Sequence, residues 1–310
     1  MKRPSFYFIL VLFSFLLLTA CTRDGKQVRG IYHWKTTYNP TQYELDWMQE
    51  HHVDRLYLRL FDVDVYGCDE GAAPIATTRF IQPLPSDIEI VPVVYITNEA
   101  MASMNTGGVA DALAQRVLKM AECNGFEVKE LQVDCDWSER TKYQYRWFCH
   151  DLRELLHEHG IRLSSTVRLH QIDSMLASLE VDSKALMLYN TGDLRSPLTR
   201  NSILDYDDVK PYLRRLTAEA MDSMAVAWPV FGWGVAFDET GRFSHLVGSA
   251  ALGNDTTGRL REEWGEMEQM LRVQKQLPRR KGDRVTILYH LDSLNLSRYS
   301  YDEIEELYSR

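Results

Sequence analysis

The chain has 310 residues and a formal net charge of −9, with 45% apolar and 11% aromatic side chains. That apolar content suits a globular protein with a sizeable core, and the length allows one large domain or two small ones. The acidic balance excludes a nucleic-acid surface, which needs a basic face for phosphates.

Lys2 and Arg3 precede an apolar run from Phe6 to Leu18, followed by Thr19, Ala20 and Cys21. A basic start, a short apolar run and a small residue before the cut predict a secretory signal over residues 1–20. The run is shorter than the about 20 apolar residues of a membrane span. Leu18-Thr19-Ala20-Cys21 resembles a bacterial lipobox. The resemblance implies that Cys21 is lipidated and becomes the mature N-terminus, with residues 21–29 as a tether. An ordinary signal peptide with a chance cysteine is the alternative. An acyl anchor holds a protein on a membrane without crossing it, so the expected location is extracytoplasmic, on the cell envelope, with the membrane as a partner through the lipid. Without Lys2 and Arg3, 33 basic residues face 44 acidic ones, which argues against a second, polybasic membrane contact. Cys68, Cys123, Cys135 and Cys149 form no CxxC pair. The expected location permits disulfides, and the spacings leave their pairing open.

Beyond the tether, strand-like runs alternate with helical periodicity. Strands are expected at 30–34, 54–61, 89–96, 130–136, 162–169, 185–190, 224–230 and 285–290. The first helix is expected at 40–51, with Asn39 as cap and Pro40 in the first turn. His51 and His52, at its end, read as solvated. A second, at 108–122, aligns Val109, Leu113, Val117 and Met120. A third, at 141–159, aligns Tyr145, Phe148, Leu152, Leu155 and Leu156, with Gly160 at its end. Two more are expected at 207–220 and 258–276, the last with Leu260, Trp264, Met267 and Leu271 in one stripe. Residues 66–88 hold three prolines and no helical period, and 231–257 read as an inserted hairpin. This series predicts one α/β domain over 30–310, a (β/α)8 TIM-like barrel irregular after strands two and seven. A doubly wound open sheet is the alternative, but no Gly-rich phosphate turn supports it. The acidic ending DEIEEL reads as a helix docked on the barrel.

Functional residues of such barrels sit at the C-terminal strand ends. Those ends offer His33 and Trp34; Arg59, Asp62 and Asp64; Asp134, Asp136 and Trp137, with Glu139 just beyond; Arg168, His170 and Gln171; Tyr189 and Asn190; Trp228; and Tyr289 and His290. Carboxylates supply acid, base or nucleophile at a glycosidic bond, and flat aromatic faces stack on sugar rings. Asp134 and Asp136 alternate along strand four and so point to one side. Like charges that close raise one pKa, as an acid catalyst requires. A structural pair held by Arg59 or Arg168 is the competing reading. No HExxH or H-x-H accompanies His51 and His52, and His157 and His159, at a helix C-terminal end, read as complementing its dipole, so neither a metal nor a cofactor is expected, and the absence of G-x-S-x-G disfavours an elbow-type serine esterase.

The segment Leu131-Gln132-Val133-Asp134-Cys135-Asp136-Trp137 resembles the strand-four signature of family 18 chitinases, D-x-x-D-x-D-x-E. Asp134 and Asp136 take its second and third acidic positions, while Leu131 and Ser138 replace the first acid and the catalytic glutamate. Met187, Tyr189 and Asn190 resemble that family's strand-six M-x-Y-D/N, which implies an acetamido-contacting pair. With Ser138 in place of the proton donor, the chitinase mechanism does not carry over. Residues 131–171 also resemble a family of uncharacterised bacterial, glycoside-hydrolase-like barrel proteins, through Leu131, Gln132, Asp134, Asp136, Tyr143 or Tyr145, Leu163, Ser164 and Thr166. That resemblance implies a barrel with a carbohydrate partner.

The expectation is a surface-anchored, glycoside-hydrolase-like barrel acting on extracytoplasmic glycan. Its catalytic candidates are Asp134, Asp136 and Glu139. Its substrate surface is His33, Trp34, Arg59, Asp64, Trp137, Arg168, His170, Tyr189, Asn190, Trp228 and Tyr289. One alternative is a non-catalytic glycan-binding lipoprotein that kept the cleft and lost the acid, which Ser138 favours. A structural envelope lipoprotein with no small ligand is the other.

Overall fold

The computed structural model describes residues 25–65, 71–104, 106–172, 178–253, 259–280 and 282–309. Cys21, the apolar run before it and Cys68 lie outside these residues. Eight parallel strands follow one another round the sheet. They are β1 (Gln27–His33), β2 (Arg55–Val65), β3 (Glu89–Ile96), β4 (Glu130–Cys135), β5 (Arg162–Arg168), β6 (Ser183–Met187), β7 (Met224–Pro229) and β8 (Arg284–Tyr289). β1 pairs with both β2 and β8, so the sheet closes on itself. The chain is a (β/α)8 TIM-like barrel, and one continuous apolar cluster fills its interior and the layer beneath its helices. β1 starts earlier than the sequence suggests, because Gln27, Val28 and Arg29 are paired with Arg284, Val285 and Thr286.

The helices are α1 (Gln42–Glu50), α2 (Asn98–Ser103), α3 (Thr106–Asn124), α4 (Lys142–Glu158), α5 (Tyr206–Leu213), α6 (Ala218–Asp222), α7 (Met267–Gln274), α8 (Ser293–Leu296) and α9 (Tyr301–Tyr308). Several differ from expectation for local reasons. α1 is capped by Thr41, not Asn39, since Thr41 and Glu44 bond each other's backbone N–H in a capping box. The run 207–220 is two helices, because the Thr217 side chain caps a new one by accepting from Ala220 N. Among the described residues between β2 and β3 no helix forms; instead Ala72–Ile75 pairs antiparallel with Asp62–Val65. His51 is buried rather than solvated. α9 covers it, with Glu305 Oε1 3.0 Å from its Nδ1 and the Trp47 and Tyr301 rings beside it.

The insertion after β7 is larger than a hairpin. Gly232–Phe237 lies between Phe243–Gly248 and Leu260–Trp264 in an antiparallel sheet. Leu260–Trp264 was expected to open a helix, but residues four apart share a face in a strand as well as in a helix, so the apolar spacing could not tell the two apart. Gly232 lies opposite Trp264, whose ring occupies the space of a side chain: a Cβ on Gly232 would sit 2.3 Å from it. The Arg298 guanidinium stacks over the same ring at 3.7 Å.

Candidate functional site

Strand alternation decides which strand-end residues meet. On β4, Gln132 and Asp134 face inward: Tyr32 Oη donates to Gln132 Oε1 at 2.6 Å across the barrel, and Thr166 Oγ1 donates to Asp134 Oδ1 at 2.6 Å. Leu131, Val133, Cys135 and Trp137 therefore face the helices. At the C-terminal mouth the strands enclose a cleft of about 520 Å3. Trp34, Arg59, Asp134, Asp136, Arg168, Tyr189, Asn190 and Tyr289 of the expected set line it, together with Asp62 and His290.

One wall is aromatic. Trp34 meets Tyr95 at 6.5 Å and Tyr289 at 5.6 Å between ring centroids. Tyr289 continues to Tyr189 at 5.1 Å and Phe231 at 5.5 Å, and Phe231 to Trp233 at 5.3 Å. Tyr95, Phe231 and Trp233 were missed. Tyr95 sits beside Asp134 in the register of β3 with β4, so the strand-end rule applied to β3 would have found it. Phe231 and Trp233 belong to the insertion, where no such rule applies.

The opposite chemistry is ionic. Arg168 Nε lies 2.5 Å from Asp136 Oδ1, a close ion pair without the alignment of a hydrogen bond, and Arg168 Nη2 lies 3.9 Å from Asp134 Oδ1. Arg59 forks onto Asp62, with Nε donating to Oδ1 at 2.7 Å and Nη2 meeting Oδ2, while its guanidinium stands 5.8 Å from the Trp34 ring centre. Asp134 is 1% exposed. Burial lifts its pKa above the usual carboxylate range, more than Arg168 and the Thr166 hydroxyl lower it, and Asp136 and Asp62 add to the lift. Tyr189 Oη, His290 Nδ1 and Asn295 Oδ1, all of cleft-lining residues, are buried and have no partner among the described residues. Such groups cost about 1–3 kcal/mol each, a cost a ligand can relieve.

The remaining expected residues lie elsewhere. Trp137 stacks on Tyr145 of α4, with centroids 6.3 Å apart, because it continues the outward face of β4. Trp228 lies on the outer face of β7 and lines a different cavity at the far rim. His33 is buried outside the mouth against Tyr38. Burial lowers its pKa to about 4, with Lys35 lowering it further and Glu44 opposing. Asp64 accepts the Thr97 hydroxyl at 2.6 Å. An extra residue in β2 between Arg59 and Phe61 breaks strict alternation, which lets Arg59 and Asp62 share the cleft. Glu139 is exposed and holds Lys142 Nζ at 2.7 Å, and His170 is exposed beyond the cleft lining. The Ser138 hydroxyl accepts from Arg140 N, and Ser138 does not line the cleft. Cys135 and Cys149 are buried free thiols and Cys123 an exposed one. Among the described residues no cluster of three or more His, Cys, Asp or Glu could hold a metal ion, and no helix is long and apolar enough to cross a membrane.

No protein-family model matches the sequence, and no curated protein does. Solved structures do resemble the fold. A Group IV chitinase of Ostrinia furnacalis superposes with a TM-score of 0.57 at 12% identity, covering 92% of this chain and 100% of its own. The GH18 chitinase ChiB from the chitin utilization locus of Flavobacterium johnsoniae gives 0.57 at 13% identity, covering 92% and 94%. The spore cortex-lytic enzyme SleL of Bacillus cereus gives 0.53 at 13% identity, covering 89% and 75%. At these identities the likeness is one of architecture: the chain shares the TIM-barrel fold of these glycoside hydrolases.

Proposed function

We propose that the barrel mouth is a glycan-binding cleft that holds a sugar chain without cleaving it. The carrying observation is the state of its carboxylates. Asp62 is forked by Arg59, Asp136 is paired with Arg168, and Asp134 is sealed beneath them on Thr166. The chitinase proton-donor position is Ser138, and the nearby Glu139 points to Lys142 at the surface. General acid catalysis needs a carboxyl within reach of the leaving oxygen, and no lining carboxylate is both exposed and unpaired. The continuous aromatic wall supports sugar stacking, and the orphaned Tyr189, His290 and Asn295 atoms offer bonds to hydroxyl or acetamido groups. The substrates of the enzymes that share the fold point to N-acetylhexosamine polymers such as chitin or spore cortex.

Hydrolysis is the second reading, favoured by Asp134, whose raised pKa is what an acid catalyst needs. Binding to a glycan array, run beside reducing-end release on every bound glycan, decides between them. Binding without product supports the binder; product lost in Asp134→Asn supports the hydrolase; no binding to any glycan by folded protein defeats both. The same proposal places the barrel outside the cytoplasm on a lipidated Cys21. Cys21→Ser should release the protein from the membrane fraction or leave an unprocessed precursor.

A further inference from the structure

The rim opposite the mouth carries a second cavity, of about 500 Å3, between the outer faces of β7 and β8 and the end of α7. Four cations line it, Lys275, Arg279, Arg280 and Arg284, with Gln274 and Trp228 among their neighbours and no carboxylate among the described residues of the lining. None of the four forms an ion pair among the described residues. Arg280 Nη1 donates to the Met224 carbonyl at 2.7 Å, which fixes its guanidinium in the wall. Arg284 Nε is buried and has no partner among the described residues. Burial, with Arg284 beside it, lowers the pKa of Arg280 to about 10. The described residues of an acidic protein thus gather positive charge without a carboxylate in one hollow, which an anion would relieve.

The start of the described chain lies against the same rim. Arg284 N donates to the Lys26 carbonyl at 2.8 Å, and Lys26 N to Asp283 Oδ1 at 2.8 Å. Gly25 is so close to Gly282 that an added Cβ would be 2.0 Å from its carbonyl oxygen. Cys21 precedes Gly25 by four residues, and four residues of fully extended chain reach no more than about 14 Å. A lipid on Cys21 would bring these cations to the headgroups and point the mouth away from the membrane.

We propose that this hollow is an anion site for the phosphate of an anionic lipid headgroup, which seats the rim on the membrane that anchors Cys21. Its orientation rests on the Cys21 reading; its charge does not. The net acidity of the chain conceals it, because the cations are grouped only by the fold.

The chain from Thr22 onward holds the whole closed barrel and no acyl group. It is sedimented with vesicles of phosphatidylcholine, or of phosphatidylcholine with phosphatidylglycerol, and its melting is followed with inorganic phosphate. It should bind the anionic vesicles alone. Lys275→Ala and Arg279→Ala, both at exposed positions that should fold normally, should each weaken that binding about fivefold, the worth of one basic side chain near an anionic surface. Equal binding to both vesicles, or anionic binding unchanged when Lys275→Ala and Arg279→Ala are combined, overturns the proposal. Stabilisation by phosphate with no vesicle binding assigns the hollow to a free anion and overturns the headgroup reading. Glycan binding should be unchanged in the same variants, and Cys21 processing is scored separately in the full chain, so neither result depends on this one.

Discussion

Asp136 and Arg168, at the ends of the neighbouring strands β4 and β5, meet at 2.5 Å, and the same guanidinium stands 3.9 Å from the buried Asp134. One cation thus serves two carboxylates at different depths. The upper one remains partly in water and the lower one does not, so their dependence on Arg168 differs.

Arg168→Met should therefore destabilise the fold by about 3 kcal/mol at neutral pH, the lower range for leaving a buried charge unpaired. Urea denaturation measures it. The loss should shrink in acid, where Asp134 takes a proton and no longer needs the cation. A loss independent of pH would mean that the arginine acts by packing alone.

Asp134→Asn tests the same group from the other side. Its folded-state pKa is raised, so its contribution is fully present below the ordinary carboxylate value and is lost as pH rises through the raised one. The variant should be the more stable protein at neutral pH, with an advantage that fades on acidification. Denaturation midpoints of both proteins across the acid range would reveal it; an advantage that grows in acid contradicts the burial argument.

Trp34, Trp137 and Trp228 looked alike as strand-end aromatics, yet only Trp34 lines the cleft. Trp34→Ala should weaken glycan binding about thirtyfold, equal to ~2 kcal/mol for a central aromatic anchor, with little loss of stability. Trp137→Ala and Trp228→Ala should instead cost about 3–5 kcal/mol of stability as buried aromatics, leaving affinity unchanged in whatever folds. Calorimetric titration together with thermal melting separates the two outcomes.

His33 has the opposite sign to Asp134. Its folded pKa is lowered to about 4 from 6.5, so its contribution is present above 6.5 and is lost as pH falls through that window. The charges facing it are Lys35 and Glu44, with His290 beside them. Wild-type protein should lose up to ~3 kcal/mol over this range on account of this one ring, and His33→Gln should lack that part of the slope. The His290 share, also from a lowered pKa, should remain. An unchanged acid limb in the variant would contradict the burial of His33.

The barrel was legible because each strand is a short apolar run bounded by turns, and the pair Asp134 and Asp136 because alternation along one strand is local. What escaped the sequence was set by partners far along the chain. The side taken by Asp62 depends on an extra residue in β2 that no composition marks. His51 reads as surface until α9, some 250 residues later, lands on it. Leu260–Trp264 has a spacing that suits either element, and its pairing with Gly232–Ala236 decides. The outward turn of Trp137 and Trp228 follows from strict alternation along β4 and β7, which separates them from their inward neighbours at the same strand ends.

Gly232, Trp264 and Arg298 form a stack behind the cleft, with the indole against a bare backbone on one side and under a guanidinium on the other. Gly232 belongs to the antiparallel wall that carries Trp233, and Arg298 follows α8, which brings Asn295 to the cleft. The two flanks of the mouth are therefore braced against one another through a shared ring, like jaws on a common bolt. A methyl group added at Gly232 would press on that bolt and spread the two flanks, so the gauge of the mouth is set by one missing side chain.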